Sequence, residues 1–544
     1  MPSFSRADMN IDRRYKLLIM LAIAVYAVGL FGGVMGDAGT YASLAREIYT
    51  SGDWINLKIH GEPYMQKPPL LFWLGAASFH IFGVSLFAFK FPVFLVSLVG
   101  VYATYRLAKI WYGRQIGQVA ALILLFSEIY FLFNNDIHTD TILTSFNTFT
   151  LWQLSEYIQQ KKWKNLLLGF TGVGLTVMSK GPIGAFVPVT AVLCHLIYKR
   201  DFKTLFSPRW LTGIPIVAII ILPALWGLFN QFGIQGIRFF FWGNIIGRIT
   251  GTYTGNNNDY SFYLHTSAYL LAPWSVLTFI AFFMEVKARM KKKQLETELF
   301  LLGGIVPYLL IVSMAKAKSP QYLFIIAPLI LIITAKWIMY SIENIKMYRV
   351  AKYCQDGIII ILYGLVLVFV FYLFPTRNLL LLLTILSLFL LTIYFRYTLP
   401  HGLNRLLLPS MVGIIAFVFT VNIHVLPNMF KYQASIPVAN ILNNEYKKGE
   451  TVFSFGYRYD DQFFYPNPTV TKLKDKQELM DIFNKRGIWL FTDQEGYEFV
   501  KKKHAQFDKI YQFDNYYLSR LSLKFLRPET RASKLSKIYL LHWN

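Results

Sequence analysis

Apolar runs separated by short polar breaks fill the chain from its start to about residue 426. A helix rises 1.5 Å per residue, so crossing a hydrocarbon layer takes roughly 20 apolar residues. Thirteen intervals are candidates, the fifth of them short: 16–35, 84–105, 117–134, 141–158, 166–179, 182–198, 211–230, 263–285, 297–314, 320–340, 357–374, 379–395 and 406–426. The stretch Leu70 to Phe82 is too short to span and carries Trp73 and His80, which predicts an interfacial or re-entrant helix. From about Pro427 charges become frequent and apolar runs shrink to strand length, at Thr451–Phe455 and Gly487–Phe491. Between them Leu479, Met480, Ile482 and Phe483 recur at helical spacing. The expected fold class is an α-helical polytopic membrane protein with about 13 transmembrane helices over residues 1–426, followed by a small α/β extracytoplasmic domain over residues 427–544. No small-residue cleavage site follows the first apolar run, which reads as a signal anchor.

Charge placement orients these spans. Arg13/Arg14/Lys16, Arg106/Lys109/Arg114, Lys161/Lys162/Lys164, Lys199/Arg200/Lys203, the Lys287–Lys293 stretch, Lys336/Lys346/Arg349/Lys352 and Arg396/Arg405 all fall on one side if thirteen spans are counted. The positive-inside rule makes that side cytoplasmic and leaves the C-terminal domain outside, periplasmic in a bacterial inner membrane. Composition agrees. The 544 residues are 55% hydrophobic and only 15% charged, against about 25% in soluble domains. The net charge of +24 then reflects cytoplasmic loops and contact with membrane lipids, not nucleic acid. Two cysteines, Cys194 and Cys354, imply no disulfide framework.

The other set of loops carries polar residues that apolar spans do not require. In the first external loop, within residues 36–83, Asp37 sits at the outer end of the first span, either facing a wet cavity or solvated at a helix terminus. Lys67 precedes two prolines, as a cation on a stiff backbone or as a snorkelling anchor. Next comes Asn134-Asn135-Asp136-Ile137-His138-Thr139-Asp140. If extended, Asp136, His138 and Asp140 share one side and are candidates to hold a divalent metal; alternatively Thr139 and Asp140 cap the following helix. Lys180, Arg248, Lys316 and Lys318 also lie externally, against the topogenic trend. Cations there suggest an anionic ligand at headgroup depth, with phosphate the natural guess.

The ordered series Asp37…Tyr41-Ala42…Ser51-Gly52-Asp53-Trp54…Tyr64…Lys67-Pro68-Pro69-Leu70…Trp73…Phe82-Gly83 resembles the start of the bacterial aminoarabinose transferase family. These are membrane glycosyltransferases of the GT-C fold, related to protein O-mannosyltransferases. Thr139-Asp140, Lys180-Gly181-Pro182, Gly247-Arg248, Tyr263 with Pro273-Trp274, and Lys318-Ser319-Pro320-Gln321-Tyr322 continue the likeness. The resemblance implies a polyprenyl-phosphate-linked sugar donor and inverting transfer to an acceptor, lipid A being the family's best-known one and a protein or another glycan the alternatives. It implies catalytic roles for Asp37 and Asp140, a lysine near the donor phosphate at Lys67, and substrate contacts at Tyr41, Tyr64, Lys180, Arg248, Tyr263, Lys318 and Tyr322. Two of the family's usual acids are replaced here by Ala38 and Gln66. No cofactor follows from the sequence beyond a divalent metal that it does not require.

Two other classes fit the pattern less well. A transporter or flippase predicts ionisable residues near the midplane and paired broken helices, whereas here the spans are nearly charge-free, Lys90 being the clearest exception. A non-catalytic scaffold gives no reason for Asp37, Asp140 and Lys67 on one face. Neither a Rossmann nor a P-loop fingerprint occurs.

Overall fold

The computed structural model describes residues 12–252, 257–290, 298–503 and 506–544. Each of the thirteen apolar intervals holds a helix or a run of two or three consecutive helical segments. Among the described residues, length and hydropathy alone qualify six helices to cross a membrane, or seven if the pair Arg114–Leu125 and Glu128–Asn135, bent by 50°, is one span. The remaining intervals are shorter or more polar for reasons visible in their packing.

The chain opens with α1 (Arg13–Gly29), α2 (Asp37–Ser51), α3 (Leu70–Phe82), α4 (Leu86–Tyr112), α5 (Arg114–Leu125), α6 (Glu128–Asn135), α7 (Thr139–Gln160), α8 (Trp163–Lys180) and α9 (Phe186–Tyr198). α7 is the instructive case. It is rich in Thr, Ser and Asn, yet most of its residues are buried. Thr144, Ser145, Thr148 and Thr150 each donate to the carbonyl four residues earlier, at 2.7, 3.1, 2.8 and 2.8 Å. Their hydroxyls are thus satisfied within the helix, as an apolar environment requires. These short side chains also admit close neighbours: Gly100 of α4 lies on Ser145, and Gly172 of α8 on Thr150.

The first loop is folded. A turn at Gly36, with φ of +49°, reverses the chain so that Asp37 becomes the first residue of α2. Ala38, Tyr41, Ala42, Ala45 and Ile48 of α2 bury against Leu71, Phe72, Ala76 and Phe79 of α3 in one apolar cluster. Leu70–Phe82 is a short apolar helix, as its length predicts.

After the last long helix, Leu403–Thr420, which continues to Phe430, a five-stranded mixed sheet forms. The short hairpin β1 (Lys58–Ile59) and β2 (Glu62–Pro63) lies in the first loop; the sheet comprises β3 (Thr451–Phe455), β4 (Val470–Lys472), β5 (Ile488–Asp493), β6 (Lys509–Asn515) and β7 (Ser536–Trp543). Its order is β4-β3-β5-β7-β6, with β3 parallel to β4 and β5, and β7 antiparallel to β5 and β6. Alternate residues face opposite layers. Val452, Trp489, Phe491 and Leu540 pack on Val438 and Leu442 of helix Ser435–Glu445. Phe453, Leu490 and Leu541 pack on Leu479 and Val500 of helices Lys476–Asp481 and Gln494–Lys503.

This domain is clamped to α2. The Arg46 guanidinium donates to the carbonyls of Phe463 (3.1 Å), Phe464 (2.9 Å), Pro466 and Asn467 (2.8 Å). Thr40 donates to the Asp460 carboxylate at 2.9 Å and Ser43 to the Asp460 carbonyl at 2.6 Å. A Cβ on Gly39 would meet the Asp461 Cβ at 2.8 Å, so glycine lets the domain's turn lie directly on the helix.

Candidate active site

Asp140 and Lys180 form a buried ion pair that joins the start of α7 to the end of α8. Lys180 Nζ also lies 4.2 Å from the centre of the Tyr322 ring, a cation–π contact in a desolvated setting. Behind Tyr322, Tyr308 Oη donates to the Tyr322 carbonyl at 3.1 Å and fixes that segment.

Lys67, Lys180 and Tyr322 line one groove of about 680 Å³, measured with its open mouth. Its other walls are apolar, including Phe240, Ile245, Ile249, Ile311, Val312 and Ile325. An apolar groove with lysines in its wall suits a ligand with a hydrocarbon tail and an anionic head.

Asp37 is exposed at the first turn of α2, where the helix dipole favours a carboxylate. One turn on, buried Tyr41 tilts against Phe72 at 5.6 Å and meets His138 edge-on at 6.3 Å. Buried Tyr64 packs edge-on against Phe72 at 6.0 Å. His138 pairs with Asp136 Oδ2 at 3.1 Å. Burial opposes a charge on His138, but Asp136, Asp37 and Asp140 together outweigh it and raise its pKa. His138 therefore sits within the field of all three carboxylates.

The structure separates the predicted metal trio of Asp136, His138 and Asp140. α7 starts at Thr139, and the helical turn swings Asp140 to Lys180 while Asp136 and His138 stay paired before it. Among the described residues no group of three or more His, Cys, Asp or Glu is placed to hold a metal. Tyr263 is buried within electrostatic reach of Tyr322 and Asp140. Lys318 is not in the groove wall: its ammonium bonds the carbonyls of Asn257 (2.8 Å) and Ala315 (2.9 Å), ending helix Phe300–Met314. The Arg248 side chain lies outside the described residues, although Ile245 and Ile249 of its helix line the groove. Sequence reasoning did not single out Tyr308, Phe240 or Arg46. Tyr308 and Phe240 lie in apolar runs, and Arg46 lies in an amphipathic helix, where a charge usually means solvent.

The sequence profile of the family described as dolichyl-phosphate-mannose-protein mannosyltransferase matches residues 66–226, which include Lys67, Asp140 and Lys180. An undecaprenyl phosphate-alpha-4-amino-4-deoxy-L-arabinose arabinosyl transferase of Yersinia pestis (strain Pestoides F) is 29% identical over 365 residues, 65% of this chain and 64% of that protein. The chain thus matches a little under two thirds of that relative's length. The Yersinia enterocolitica counterpart is 28% identical over 61% of this chain and 59% of its own. In structure, ArnT from Cupriavidus metallidurans bound to undecaprenyl phosphate superposes with a TM-score of 0.76 over 97% of both chains at 14% identity, which shows a shared fold. The order of helices, the small mixed-sheet domain and the matched sequence core thus agree: the chain has the fold of ArnT and is similar in sequence to the aminoarabinose transferases.

Proposed function

We propose that the protein transfers a sugar from a polyprenyl-phosphate donor to an acceptor, with inversion at the anomeric carbon. The observation that carries this reading is the apolar groove with Lys67 and Lys180 in its wall, which matches a prenyl chain ending in a phosphate. The names of the relatives, an undecaprenyl-phosphate-sugar transferase and a dolichyl-phosphate-mannose transferase family, support the same donor class.

In this reading Asp37 orients the acceptor nucleophile and takes its proton where it is a hydroxyl. The nucleophile forms the new glycosidic bond while the bond from the sugar to the phosphate oxygen breaks, and the prenyl phosphate leaves with that electron pair. Lys67 offsets the charge gathering on the phosphate. Asp140 acts by holding Lys180 at the groove, and Tyr41 and Tyr64 wall the acceptor side. No step calls on a metal. In this reading the transmembrane domain runs to residue 426, the domain from 427 is periplasmic, the N-terminus is cytoplasmic, and the chemistry takes place at the periplasmic face. Lipid A is the acceptor that the sequence resemblance implies, and a protein side chain or another glycan is the alternative.

The test is transfer of radiolabelled sugar from undecaprenyl phosphate by purified protein in nanodiscs, with lipid A or peptides as acceptors. Asp37→Asn should abolish transfer while the protein still purifies folded. Full activity in that variant would sink the assignment of Asp37, and no turnover of any donor by wild type would sink the transferase reading.

A further inference from the structure

A second tie joins the sheet domain to the helical bundle through residues 518–534. Leu518 and Phe525 of this segment bury against Phe374, Met429 and Phe430 in one apolar cluster. The Arg531 guanidinium donates to the Leu373 carbonyl at 2.7 Å and lies 4.3 Å from the centre of the Phe374 ring. Tyr372 Oη donates to the Glu529 carboxylate at 3.1 Å. Leu373 ends one helix long and apolar enough to cross a membrane, Ile345–Leu373, and Leu379 begins another, Leu379–Thr398. The segment is therefore held where the hydrocarbon layer gives way to head groups.

Its other face is unlike the rest of the domain. Leu521 is 49% exposed and Leu523 72%, the highest value of any large hydrophobic side chain among the described residues from 431 onward. Arg520, Lys524 and Arg527 are exposed beside them. Among the described residues none of these three cations has an ion pair or a side-chain hydrogen bond. The charge of Arg527 acts on Tyr372, which places it at the end of the span. Residues 518–534 hold five Lys and Arg against one acid, Glu529, which Tyr372 already engages. Exposed leucines are unfavourable in water, and neighbouring cations repel one another. Both are satisfied where acyl chains meet phosphates.

We propose that residues 518–534 form a docking surface for anionic phospholipid in the leaflet on the sheet domain's side. Leu521 and Leu523 enter the interface, and Arg520, Lys524 and Arg527 pair with lipid phosphates. The same segment reaches the candidate active site. A Cβ on Gly36 would meet the Ser519 Cβ at 3.0 Å, and Gly36 immediately precedes Asp37. Lipid held by the segment thus steadies the wall beside that carboxylate.

The experiment attaches a bimane fluorophore to Leu523→Cys in full-length protein that also carries Cys194→Ser and Cys354→Ser. The protein, in neutral detergent, is titrated with spin-labelled phosphatidylglycerol and with spin-labelled phosphatidylcholine of the same acyl chains. Phosphatidylglycerol should quench the bimane with an apparent affinity at least ~5-fold higher, the worth of about one cation at an anionic surface. Arg520→Gln, Lys524→Gln and Arg527→Gln together should erase that preference. All three side chains are exposed, so thermal unfolding of this variant should match wild type. Bimane quenched by neither lipid, equal affinity for both, or a preference kept in the triple variant would overturn the proposal. None of these outcomes depends on donor turnover.

Discussion

The two carboxylates assigned to the site are held in opposite ways. Asp140 is buried, ion-paired to Lys180 and locked between two packed helices. Asp37 is exposed on the first turn of a loop helix, and that helix is steadied by the C-terminal domain through Arg46, Thr40 and Ser43. One half of the site is therefore built by the helical bundle, and the other is completed when the sheet domain sits on α2. Damage to the first half should register in the fold itself. Damage to the second should register mainly in where Asp37 stands.

The largest effect is expected at the bundle half. Lys180→Met leaves Asp140 buried without its partner, which costs about 3–5 kcal/mol. Thermal unfolding in detergent should fall steeply, and transfer should drop at least ~100-fold, about 2.7 kcal/mol of barrier. A Lys180→Met protein as stable as wild type would show that the pair does not hold this half together.

The second effect tests the domain half through pH. Burial pushes the Asp461 carboxyl up to about 6 from an ordinary 3.8, despite bonds from Ser435 (2.5 Å) and Gln433. The folded state therefore keeps a proton that the unfolded state has released between those values. Stability from this group is fully present below about pH 4 and is lost as pH rises through 6, a swing on the order of 3 kcal/mol. Asp461→Asn should remove the swing and raise the unfolding temperature at pH 7.5. An unaltered pH profile would clear Asp461 of any part in it.

These halves differ in how readable they are from sequence as well. The helical intervals were legible because an apolar run has few alternatives in a membrane, and even α7, polar in composition, kept enough length and flanking punctuation to be found. Lys67, Asp140 and Lys180 stood out as polar residues at breaks between runs, and Lys90 as a charge inside one. The clamp was not legible. Arg46 in an amphipathic helix reads as solvated, and its partners are backbone carbonyls more than 400 residues away, which no side-chain pattern announces. The period-two reading of Asp136, His138 and Asp140 failed because the helix starts one residue before Asp140. In the sheet, β3 and β5 were found as buried apolar runs, whereas the edge strands β4 and β6 carry too many polar residues to declare themselves.

Steric pressure on the clamp comes next in size. Gly39→Leu puts side-chain atoms where the Asp461 backbone lies, 3.3 Å from even the Cβ position, and overpacking of this kind costs about 1–3 kcal/mol. The helical bundle should unfold at its usual temperature while transfer falls and cleavage by an added protease near residues 463–467 rises. Loss of bundle stability in parallel would erase the distinction between the halves.

Arg46→Lys is the gentlest of these changes. The ammonium keeps the charge but gives up the planar fork that reaches Phe463, Phe464, Pro466 and Asn467 together. The exposed Asn467 carbonyl regains water and the ammonium keeps a bond among the others, so the net loss is about 1 kcal/mol. Because α2 carries both Arg46 and Asp37, a looser clamp lets the carboxylate wander, and the rate at saturating donor should fall several-fold with the donor KM unchanged. A raised donor KM with an intact rate would place the effect in the lysine-lined groove instead, and would mean that the sheet domain steadies the bundle half after all.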